Sequence, residues 1–193
     1  MTVFDALALA FATSPIAYLL VVAWPLAKTD LRERRLPNKL TLPGFWLALS
    51  AQTMASLLLG FSWLSRGKAG WQGDLLWQAF SNQLTALLVG TVVFALSVAA
   101  HVWWGLGMGD VKLLTVISLS LGWFSPWSPL LAVFLGFAVA VVAVVAGVAT
   151  GRSKLSSSVP LGPYLLAGFV VASALLLYSP GEVIDSTSRA LSS

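Results

Sequence analysis

Two aspartates in this chain stand where a carboxylate is costly. Asp30 closes a long apolar run in the stretch AKTDLRERRLPNKLTLP, and Asp110 follows Gly105, Gly107 and Gly109 in GLGMGDVKLL. Two carboxylates held close together cannot both ionise easily, so they share a proton over an extended pH range. The ionised partner can take a proton from water as it attacks a peptide carbonyl. The protonated partner can polarise that carbonyl and later donate to the leaving amine. That chemistry needs two acids, a water path and an extended substrate. Each acid also has a plainer use. Asp30 can be a solvated residue paired with Arg32 or Arg34, and Asp110 can cap a helix, where a carboxylate meets free N–H groups and the positive dipole end. Gly107 and Gly109 permit backbone conformations closed to other residues and a close approach by another chain. A cap alone does not need three glycines in five positions.

The elements that must position these acids follow from composition. The chain is 58% hydrophobic and 9% charged, with a mean hydropathy of +0.89, whereas soluble domains carry about 25% charged residues. It therefore belongs in a bilayer, as an all-α, polytopic unit in which residues 1–193 form one integral-membrane domain. A spanning helix needs about 20 mostly apolar residues. Six segments qualify: Val3–Leu26, Leu42–Phe61, Ala79–Trp104, a short Val111–Pro126, Pro129–Ala149 and Leu161–Tyr178. The longer connections are Lys28–Thr41, Ser62–Gln78 and the Ser-rich Thr150–Ser158, and a short polar tail ends the chain. The opening MTVFDALALAFATSP has Asp5 instead of a positive n-region, so it reads as the outer end of a retained first helix rather than a secretory signal.

Charge sets the orientation. Six spans put both termini on one side. The first, third and fifth connections hold Lys28, Arg32, Arg34, Arg35, Lys39, Lys112, Arg152 and Lys154, which is 8 of the 11 basic residues, against Arg66, Lys68 and Arg189 on the other face. The acids divide the other way, with Asp5, Asp74, Glu182 and Asp185 opposite the basic set. By the positive-inside rule the basic side is cytoplasmic and the termini lie outside. Orientation thus accounts for the net charge of +4, which removes nucleic acid as a partner. The same count brings Asp30 and Asp110 to one membrane boundary, on helix ends that could be neighbours in a bundle.

Other residues are read more plainly. The chain has no cysteine and one histidine, His101, so no metal site or cofactor is expected; His101 reads as an imidazole hydrogen-bonded to a carbonyl. Lys112 either raises the positive potential near the acids or marks the cytoplasmic boundary. Trp24, Trp103 and Trp104 at inner ends, and Trp63, Trp77, Trp123 and Trp127 near outer ends, fit interfacial belts.

Three segments together carry a family likeness: Asp30-Leu-Arg-Glu-Arg-Arg-Leu-Pro-Asn-Lys-Leu-Thr-Leu-Pro43, Gly107-Met-Gly-Asp-Val-Lys-Leu-Leu114 and Val159-Pro-Leu-Gly-Pro-Tyr-Leu-Leu-Ala-Gly168. In these the chain resembles the type IV prepilin peptidases, GxGD-type intramembrane aspartyl proteases. The resemblance implies catalytic aspartates at Asp30 and Asp110, supported by Gly107, Gly109, Lys112, Pro160, Gly162 and Pro163. It implies cleavage, at the cytoplasmic face of a bacterial inner membrane, of the short basic leader that precedes the apolar helix of a prepilin or pseudopilin. Membrane lipid is the only other partner implied, and no oligomeric state follows. Pro160 and Pro163 can equally serve to set the approach angle of the sixth helix, because proline is tolerated in a first helical turn. Larger members carry a cytoplasmic domain with paired CxxC motifs and also N-methylate the mature pilin. This chain has no cysteine, so the resemblance implies a peptidase without methyltransferase activity.

Three other readings compete. Intramembrane acids also mark ion and proton paths, so a non-enzymatic transporter or a pilus or secretion assembly component is the main rival. Transporters more often place their acids near the bilayer middle, with repeated halves, and no repeat is visible here. Signal-peptide-peptidase-like proteases also use GxGD, but with YD and PAL motifs, where this chain has Thr29-Asp30 and PLGPY. An inactive protein on the same fold is the third.

Overall fold

The computed structural model describes residues 3–33, 36–65, 74–150 and 160–178. Arg34, Arg35, Arg66, Lys68, Arg152, Lys154, Glu182, Asp185 and Arg189, all used in the charge count, lie outside the described residues, as do the side chains of Trp63 and Asp74.

Among the described residues six helices run in order: α1 (Val3–Glu33), α2 (Asn38–Ser65), α3 (Asp74–Trp104), α4 (Met108–Gly122), α5 (Trp127–Ala149) and α6 (Gly162–Tyr178). Helix is the element that satisfies every backbone polar group within one segment, as a lipid environment demands. Two prolines lie inside α1. Pro15 has no N–H to give the Phe11 carbonyl, and Ser14 Oγ donates to that oxygen at 2.8 Å instead. The helix therefore continues past the proline.

By length and apolar composition α1, α2, α3 and α5 can each cross a membrane. They carry outward-facing Val21, Trp46, Leu96, Phe134 and Val142, each more than 60% exposed, which water would not tolerate in such number and a bilayer does. The chain is a polytopic, all-helical membrane protein. The six helices found among the described residues match the expectation of about six apolar segments with a short fourth. α4 has 15 residues, about 22 Å of helix against a hydrocarbon core of about 30 Å, and α6 has 17. α4 can be short because most of it is enclosed by the other helices. Val111 and every residue from Leu113 to Gly122 are buried, and α4 packs against all five other helices.

The core forms around this central pin, with Leu19 and Leu26 of α1, Leu113 and Ile117 of α4, and Leu165 and Phe169 of α6 in one cluster. α5 and α6 meet through small residues. A Cβ on Gly168 would overlap the backbone of Ala132 and Gly136, the kind of close approach that replaces a hydrophobic driving force between helices in lipid. Trp24, Trp77, Trp103, Trp104 and Trp127 are exposed, as a belt requires. Trp123 is not: it is 6% exposed and its Nε1 donates to Ser56 Oγ at 3.2 Å. It sits at a helix end as expected but points into the bundle, where its indole finds a hydroxyl.

Candidate active site

α1 is long enough to carry its last turn past an apolar span. Its 31 residues extend about 46 Å, and Asp30 lies in that last turn, facing inward and 5% exposed. Asp110 lies in the first turn of the central helix α4. The two acids, eighty positions apart in sequence, come within electrostatic reach of each other. Burial, with the negative charge of Asp30 second, raises Asp110 from 3.8 to about 6. Such a carboxyl holds its proton well above the ordinary carboxylate range. The capping reading of Asp110 is refined. The N-cap is Gly107, and Asp110 sits inside the first turn, where a carboxylate still meets the positive dipole end.

α6 completes the cluster. The Gly162 N–H, at its start, donates to Asp30 Oδ2 at 3.1 Å. A Cβ on Gly162 would stand 2.7 Å from the same oxygen, so glycine lets this carboxylate sit against the backbone where a side chain would displace it. Pro160 and Pro163 flank Gly162 and are partly buried. The Tyr164 and Leu165 amides bond back to the Leu161 carbonyl, which closes the first turn and aims the Gly162 N–H at Asp30.

The first two motifs meet directly. A Cβ on Gly109 would lie 2.9 Å from Leu36 Cβ and 3.3 Å from Leu36 N. The leucine six positions after Asp30 therefore packs on the glycine just before Asp110. Lys112 Nζ donates to Asn38 Oδ1 at 2.8 Å, tying α4 to the start of α2. At 100° per residue Lys112 points almost opposite to Asp110, so its ammonium is a tie between helices rather than a counter-charge for the acids.

The glycine hinge also needs a correction. Gly107 has φ −60 and ψ 134, a conformation open to any residue, and a Cβ there would come 3.0 Å from Asp110 Oδ2. The left-handed backbone is at Gly105, φ +71, which ends α3 as a C-terminal glycine commonly does. His101 Nδ1 meets the Leu106 carbonyl at 2.5 Å, the carbonyl contact expected of it, and so pins the turn into α4. Two residues of the site escaped sequence reasoning: Leu36, and the Gly162 amide as a partner of Asp30. Their signals were the hydrophobic residue of the D-x5-L-P spacing and the glycine of PLGPY.

The sequence profile of the type IV leader peptidase family matches residues 16–151, a range that holds Asp30 and Asp110 and stops before Gly162. Two Burkholderia pseudomallei proteins, from strains 1026b and K96243, each carry the name prepilin leader peptidase/N-methyltransferase. Each is 29% identical over 148 residues, which is 72% of this chain but 39% of the relative's own length. No solved structure matches the chain at a significant level. The family profile spans well over half of the sequence, and on that match the chain belongs to the type IV leader peptidase family.

Proposed function

We propose that this protein is a membrane-embedded aspartyl endopeptidase that removes the short basic leader of a prepilin or pseudopilin, with Asp30 and Asp110 as its dyad. The observation that carries the reading is the convergence of these two carboxyls from opposite ends of a long stretch of sequence into one partly water-excluded cluster. Asp30, receiving the Gly162 N–H, serves as the base that takes a proton from the attacking water. Asp110, which keeps its proton to about 6, polarises the scissile carbonyl. The tetrahedral intermediate then collapses as Asp110 gives its proton to the leaving amine and the C–N bond breaks. The proton gained by Asp30 returns to Asp110, which resets the pair.

Lys28, Arg32, Lys39 and Lys112 lie at the same end of the bundle as the dyad, which supports a cytoplasmic site in a bacterial inner membrane by the positive-inside rule. Residues 1–193 act as one membrane unit in this reading, with Gly107, Gly109, Lys112, Pro160, Gly162 and Pro163 supporting the dyad and no metal or cofactor. With no cysteine in the sequence, the activity is peptidase alone. Purified protein is incubated with a prepilin and, separately, with a mature pilin and S-adenosylmethionine. Leader release without methyl transfer is the expected result. Methyl transfer overturns the second half of the proposal, and an intact prepilin overturns the first.

A further inference from the structure

A cleft of about 390 Å³ opens between α2, α3 and α4, away from α6 and the aspartates. Three helical faces build it: Leu42, Phe45 and Leu49 from α2, positions 87, 90, 91 and 94 from α3, and positions 112, 115, 116 and 119 from α4. The last two sets follow the i, i+3, i+4, i+7 spacing of a single helix face. Two of its threonine hydroxyls are already committed. Thr115 Oγ1 donates to Val111 O at 2.8 Å and Thr41 Oγ1 to Pro37 O at 3.5 Å, so both hydroxyls are engaged by backbone carbonyls. The one charged group is at the end: Lys112, whose ammonium has three donors and gives one to Asn38. No acidic side chain is among the lining residues.

An occupant must therefore be apolar along its length and anionic at one end. We propose that the cleft binds one anionic phospholipid, with an acyl chain along the α2–α3–α4 walls and its phosphate on Lys112 Nζ. The volume falls within the roughly 300–1,000 Å³ of small-molecule sites. Leu42, Leu87 and Phe94 at the sides are exposed, so the cleft is open to the surrounding lipid. Basic pockets between spanning helices are where anionic headgroups bind.

The full chain, purified in detergent, is equilibrated with equal amounts of phosphatidylglycerol and phosphatidylcholine, and retained lipid is measured by native mass spectrometry. The expected result is one phosphatidylglycerol per chain held in preference to phosphatidylcholine. Lys112→Gln weakens that retention about tenfold, the scale of one charge-assisted hydrogen bond, while Lys112→Arg keeps it. Thr91→Trp fills the cleft from an exposed position and lowers retention of both lipids while the thermal unfolding midpoint holds. Equal retention of the two lipids by the wild type overturns the proposal, as does phosphatidylglycerol retention unchanged in both Lys112→Gln and Thr91→Trp. If Thr91→Trp leaves lipid retention intact and instead raises KM for a prepilin, the cleft belongs to substrate and the lipid assignment falls. Lipid mass is read without any cleavage, so the outcome is independent of the peptidase reading.

Discussion

Gly162→Ala isolates the least expected contact of the site. The new Cβ would stand 2.7 Å from Asp30 Oδ2 and 3.1 Å from Asp30 Cγ. Carbon and oxygen settle near 3.5 Å or beyond, so the carboxylate must retreat by roughly 0.8 Å. The 3.1 Å bond from the Gly162 N–H is stretched or lost as it does. Displacing a catalytic group by about 1 Å costs on the order of 100-fold in rate, and the loss falls on kcat, because Asp30 acts on the water rather than on the bulk of the substrate. Stability hardly moves. Gly162 is the first residue of α6, where glycine carries little of its helix-interior penalty, and the Asp30 side chain can shift to make room. The assay is steady-state cleavage of a prepilin in detergent or nanodiscs beside a thermal unfolding curve. A kcat within about threefold of wild type, with the fold intact, would refute the view that the α6 amide positions Asp30.

Two further perturbations follow from the same geometry. Asp110 binds its proton more tightly folded, at about 6, than at its ordinary 3.8, so its contribution is full below about pH 4 and is lost as pH rises through about 6. Asp110→Asn is therefore expected to raise stability near pH 7 by on the order of 2–3 kcal/mol and to change it little near pH 4; equal effects at both pH values in unfolding curves would contradict this. Gly109→Ala meets the backbone nitrogen as well as the Cβ of Leu36, so neither partner can swing away. A loss of about 1–3 kcal/mol of stability together with leader cleavage is expected, measured by unfolding midpoint and activity, and a neutral result would mean that the α1–α2 turn does not rest on α4.

The helices were legible because each apolar run far exceeds what a water-facing fold tolerates, and Asp30 and Asp110 were legible because charge is rare in such a chain. The enclosure of α4 was not. Hydropathy reports that Val111–Pro126 is apolar, but not that the helix is enclosed by five others and so is free to be short. Trp123 misled for a related reason: its place at a helix end is visible in the sequence, while the Ser56 hydroxyl that draws its indole inward comes from a helix 67 positions earlier. Lys112 gave no sign of its bond to Asn38, which could be identified as its partner only once α2 and α4 were side by side. The Gly162–Asp30 bond joins residues 132 positions apart, beyond any local pattern. Helix periodicity and composition report an element's own surface, whereas the contacts that assemble this site join the ends of α1, α4 and α6.

The central claim is that Asp30 and Asp110 act as one unit on a prepilin leader. Co-expression of the protein with a candidate prepilin, comparing wild type with Asp30→Ala and Asp110→Ala, tests it most directly. Leader release by the wild type and none by either variant is expected, with all three proteins at equal levels in the membrane. Release of the leader by both variants would contradict it.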